Sequence, residues 1–84
     1  MLIMTDTEES QEDIKNLLGY MGIEILFAID KGAKNLETIK LFSGISIECI
    51  KGRIPVLLEL KLIKIIKEEH YLTEKGEIFK NRLI

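Results

Sequence analysis

The stretch "IECIKGRIPVLLELKLI", residues 47 to 63, has the apolar spacing of a buried helix, yet it carries Gly52 and the chain's only proline, Pro55. Ile50, Ile54 and Leu57 fall at i, i+4 and i+7 and share one helical face; Ile47 lies at its margin, and Glu48, Lys51 and Pro55 fall on the other side. Proline costs ~3 kcal/mol or more in a helix interior but is tolerated in the first turn. The least costly arrangement is a break near Gly52-Arg53, with a new helix starting at Ile54 or Pro55 and ending around Leu60.

The elements on either side follow from the same rules. In "ESQEDIKNLLGYMGIEILFAIDKG", Ser10 with Asp13 forms a capping pair. Ile14, Leu17, Leu18, Met21, Ile25 and Ala28 then recur in steps of three and four. Gly19 and Gly22 cost about 1 kcal/mol each in a helix interior, which predicts a bent helix or two helices, near 10 to 18 and 20 to 31. Asn35 is an N-cap for a short helix from Leu36 to Phe42, with Leu36, Ile39 and either Leu41 or Phe42 turned inward. Ser43-Gly44 stops it, and "SGIS" makes a tight turn into the segment described first.

Beyond that segment the period changes. Leu62 to Lys67 is rich in β-branched residues, Glu68-Glu69 reads as a polar turn, and His70 to Leu72 returns as a second strand. No Asn-Gly type turn is present to set the register. Thr73 caps a last helix through "EKGEIFKNRLI", with Ile78, Phe79 and Leu83 inward.

With 84 residues, one domain is enough: residues 10–84 are expected to fold together behind an acidic, disordered lead, 1–9. The charge is polarised. Residues 1 to 30 hold one base against seven acids, and residues 31 to 84 hold eleven bases against seven acids, so a net of −2 hides a basic C-terminal part. That part can sit on phosphates while the acidic lead stays away from them.

Other classes are disfavoured. No run reaches the ~18 apolar residues of a membrane span, and the start lacks the basic and apolar regions of a secretory signal, so a cytoplasmic location is expected. Cys49 is the only cysteine; on an apolar stretch it reads as a small buried side chain. The single histidine, His70, reads as a structural residue at a strand end. No metal-ligand spacing, Gly-rich phosphate loop or catalytic pattern is present, so neither a metal, a cofactor nor an enzyme activity is expected.

Helix, helix, tight turn, helix, hairpin and closing helix is an order that resembles the winged helix-turn-helix superfamily of small bacterial and archaeal transcription regulators. The similarity is carried by "ILFAIDKGAKNLETI" (25 to 39), "GIS" (44 to 46), "LLELKLI" (57 to 63) and "YLTEKGE" (71 to 77). Two residues depart from the superfamily pattern: Lys61 stands where glycine is usual, and Pro55 where proline is rare. The resemblance implies a mainly α fold with a small β-hairpin and an extra N-terminal helix. It also implies double-stranded DNA as partner, with Ser46, Ile47, Glu48, Lys51 and Gly52 toward the major groove, Arg53 reoriented by the break, Lys34 and Lys40 on phosphates, and Lys64 and Lys67 on the wing. The stripe of Ile14, Leu17, Leu18 and Met21 reads either as core or as the seam of a homodimer, the assembly by which regulators of this superfamily often bind. The competing expectation is a winged-helix module that docks on another protein in a transcription, replication or chromatin assembly.

Overall fold

A computed structural model describes residues 11–83, and these form four helices and one antiparallel hairpin. The acidic lead and the Ser10 half of the capping pair lie outside the described residues. The order is α1 (Gln11–Asp30), α2 (Leu36–Ser43), α3 (Ile47–Glu59), β1 (Ile63–Ile66), β2 (Glu69–Leu72) and α4 (Glu74–Leu83).

The bend expected in the first helix is at Gly19, whose φ of 68° and ψ of −178° leave the helical region. A left-handed φ suits a residue without Cβ. Gly22 serves the same bend differently, because a Cβ there would come within 2.9 Å of the Leu18 Cβ. Both ends of α1 consequently reach α4. The Gln11 amide donates to the Phe79 carbonyl at 3.3 Å, and Asp30 pairs with Lys80 at 3.4 Å.

Asn35 caps α2 by accepting from the Thr38 N–H at 2.9 Å, and Gly44 closes it in the left-handed region, φ 76°. Ser46 then caps α3 by accepting from the Cys49 N–H. The connection is only Gly44, Ile45 and Ser46, and Ile45 is buried within it. The expected inward turn of Leu41 or Phe42 is corrected: both are exposed, at 79% and 51%. Ile45, one residue beyond the cap, is the next residue after Ile39 to enter the core.

α3 also corrects an expectation. It runs unbroken from Ile47 to Glu59 with Pro55 inside it, where a break at Gly52-Arg53 was expected. Pro55 and Lys51 both face solvent, so the Lys51 carbonyl that loses its helical donor lies on the wet side, and water can replace the missing N–H. Ile50, Ile54 and Leu57 are buried as the spacing predicts. Cys49, expected inside, is exposed, being one residue out of phase with Ile50.

The end of α3 is a Schellman turn. Leu62 N–H donates to the Leu57 carbonyl at 3.0 Å and Lys61 N–H to the Leu58 carbonyl at 2.9 Å, with Lys61 at φ 62° and both Leu57 and Leu62 fully buried. This is the position that glycine usually fills.

β1 and β2 pair as Ile63 with Leu72, Lys64 with Tyr71, Ile65 with His70 and Ile66 with Glu69. The turn is therefore Lys67-Glu68, one residue earlier than the expected Glu68-Glu69, and both residues have positive φ, 52° and 70°. Two-residue hairpins favour that geometry because its twist matches that of the strands.

Thr73 locks the hairpin to α4. Its hydroxyl donates to the Lys61 carbonyl at 2.6 Å and accepts from the Gly76 N–H at 3.0 Å. Phe79 is buried and Leu83 partly so, but Ile78, expected inward, is 48% exposed. One aliphatic core joins α1, α2, α3, β1 and α4.

Candidate nucleic-acid interface

Which candidate side chains come together is decided by the hairpin. In a two-residue hairpin the closing pair, Ile66 and Glu69, exchanges hydrogen bonds, so the next pair, Ile65 and His70, does not. The His70 N–H must then point away from β1. It donates to the Lys34 carbonyl at 2.9 Å. The His70 ring lies beside the same oxygen, Nδ1 to O 2.7 Å, so Nδ1 carries the proton and donates. His70 is buried, as its structural reading expects. The connection between α1 and α2 is thus tied to the free edge of β2.

That tie sets Lys34 beside the hairpin's outer face. Side chains alternate along a strand, so Ile63, Ile65, His70 and Leu72 share the inner face, and Lys64, Ile66, Glu69 and Tyr71 the outer one. The Lys34 Nζ stands 4.5 Å from the centroid of the Tyr71 ring. Lys64 is the direct cross-strand partner of Tyr71. The Lys34 ammonium over the ring face is a favourable contact, and Lys64 sits beside Tyr71 on the same outer face. The Tyr71 hydroxyl donates to Glu69 at 2.6 Å. That bond, with some desolvation and the carboxylate's charge, holds the phenol above its ordinary range.

Lys51 is exposed on α3. It lines a hollow of about 240 Å³ with Leu36, Ile54, Pro55 and His70, where α2, α3 and β2 meet. Lys40 and Ser46 border a second, open groove of about 560 Å³ with Glu37, Leu41, Gly44 and Ile45. Lys67 is at the exposed hairpin tip.

Three other candidates stand apart from this arrangement. Because α3 is continuous, Arg53 lies about 200° around it from Lys51; it is half-buried and is not reoriented by a break. Ile47 is half-buried at the edge of the core. Glu48 heads the most outward stripe of α3, which continues through Gly52, Pro55 and Glu59, all exposed. That stripe holds two carboxylates, a residue with no side chain and a proline ring.

Of the expected dimer residues, Ile14 and Leu18 are in the chain's own core, at 4% and 1% exposure. The surface left on α1 is Leu17 and Met21, joined by Tyr20, at 52%, 38% and 74%. Tyr71 was missed in the sequence, although strand alternation places it opposite Lys64 once the register is known.

Among the described residues, no group of three or more His, Cys, Asp or Glu is arranged to hold a metal ion, and no helix is long and apolar enough to cross a membrane. Comparison of the sequence with protein-family models and with characterised proteins gives no match.

Proposed function

We propose that the chain is a winged helix-turn-helix regulator that binds double-stranded DNA and carries out no catalysis, acting in the cytoplasm. The observation that carries this reading is the three-residue turn from α2 to α3, followed by a hairpin whose outer face carries Lys64 opposite Tyr71, with Lys34 over the Tyr71 ring. α3 would approach the major groove, with Lys51 as its cationic contact and Ser46, Ile47 and Glu48 at its entry. Lys34, Lys40, Lys64 and Lys67 would neutralise phosphates. Each such contact releases condensed counterions, which gives a salt slope of about one unit per lysine. Duplex affinity measured at several salt concentrations tests the reading; no detectable binding at low salt overturns it.

A second reading has its own support. The outward stripe of α3 is Glu48, Gly52, Pro55 and Glu59, with no Arg, Asn or Gln to read base edges, and Leu41 and Phe42 are exposed beside the turn. These features favour a winged-helix module that docks on another protein, since a fold does not dictate its partner. Partners retained from a nuclease-treated extract, together with absent duplex binding, would select it. In either reading a homodimer would use Leu17, Tyr20 and Met21.

A further inference from the structure

We propose that His70 is a positioning residue for the duplex surface, holding Lys34 so that Lys34, Tyr71 and Lys64 form one seat for a backbone phosphate of nucleic acid. This rests on the DNA reading above and adds two residues to it, His70 and Tyr71.

One carbonyl, that of Lys34, takes two donors from one residue: the His70 amide at 2.9 Å and its ring Nδ1 at 2.7 Å. A residue joining two helices would otherwise be free to swing away from the hairpin. Pinned at its carbonyl, Lys34 sends its side chain across the outer face to the Tyr71 ring at 4.5 Å. Lys64 starts from the position directly across the strand pair from Tyr71, on the same outer face. Tyr71 brings no charge to neutralise either lysine, and Glu69, the carboxylate on that face, accepts from the Tyr71 hydroxyl. One cation held on the ring and a second carried on the same face suit an anion that bridges them, and a phosphodiester supplies two oxygens for that purpose.

The lock acts through the position of Lys34, so its removal should be read as lost cationic contacts and not as lost stability alone. The experiment measures the salt dependence of binding to a short labelled duplex. Lys34→Ala and Lys64→Ala should each lower the slope by about one unit. Tyr71→Leu, on the half-buried outer face, should lower it by about one unit through Lys34. His70→Leu, checked for folding by its thermal transition, should reduce the slope by up to about one unit. His70→Asn carries an amide donor in place of Nδ1 and should restore the wild-type slope. Wild-type binding whose slope ignores the lysine variants, or a folded His70→Leu with the wild-type slope, overturns the seat while leaving DNA binding intact. Failure of His70→Asn to rescue overturns the role of the ring donor. Should His70→Leu not fold, Tyr71→Leu and His70→Asn decide the question. Absence of duplex binding by the wild type overturns the DNA reading and the seat together.

Discussion

Gly76 lies directly against the carbonyl oxygen of Leu62, so close that a Cβ at residue 76 would collide with backbone. The contact is where α4 crosses the start of the hairpin, and the Thr73 hydroxyl holds the two together on either side. The glycine of "YLTEKGE" is therefore a packing requirement, since its φ is not left-handed. Gly76→Ala must push α4 off the hairpin or distort the Schellman turn. Overpacking of this kind costs typically 1–3 kcal/mol, equivalent to a fall in Tm of about 5 °C or more for a domain of this size. Thermal denaturation followed by circular dichroism checks it; an unchanged Tm would contradict the contact.

Lys61 presents the opposite case, a side chain where the backbone favours none. At φ 62° it pays the left-handed penalty of an L-residue, roughly 1–2 kcal/mol, partly offset because glycine has more unfolded-state freedom to lose. Its side chain is exposed. Lys61→Gly is expected to raise stability by about 0.5–1 kcal/mol, seen as a higher urea midpoint with an unchanged m-value. A lower midpoint would mean that the lysine makes compensating contacts.

These two positions also mark how far sequence reasoning reached. Short-range signals were readable: Asn35 and Thr73 as caps, Gly44 as a stop, and Ile50, Ile54 and Leu57 as one face, because each depends on residues within two turns. The turn at Lys67-Glu68 was not, since neither residue type advertises positive φ and the hairpin register is chosen by the packing of Ile63 and His70. The continuity of α3 was hidden for a related reason. Propensity assigns Pro55 a cost, but tertiary burial of Ile50, Ile54 and Leu57 on the far face outweighs it. Nor could local rules find the Lys34–His70 tie, which joins residues 36 apart in the chain.

Leu17 and Leu18 are neighbours with opposite environments, 52% and 1% exposed, and should respond oppositely. Leu18→Ala empties a site in the core beside Gly22 and is expected to cost 2–5 kcal/mol. Leu17→Glu should leave the stability of the isolated fold within about 0.5 kcal/mol. Its effect belongs to assembly: if α1 joins two copies, light scattering will find a dimer for the wild type and a monomer for Leu17→Glu. A monomeric wild type would remove α1 as a self-association surface.

Gly52 has no structural reason to be glycine. It sits inside α3 with helical φ, faces solvent, and a Cβ there would meet nothing within 4 Å. Such a glycine costs about 1 kcal/mol relative to alanine, so Gly52→Ala should stabilise the fold by about that amount, measured by urea denaturation. Pro55, one turn further on the same exposed stripe, adds its own cost to the helix. Under the duplex reading the two residues leave the middle of α3 flat and without long side chains, which allows the helix axis to come close to its partner. A methyl at residue 52 would then stand in the interface. The expected signature is a split: Gly52→Ala gains stability and loses duplex affinity with an unchanged salt slope, since no cation has been removed. Equal gains in stability and affinity would show that the stripe does not face the partner at all.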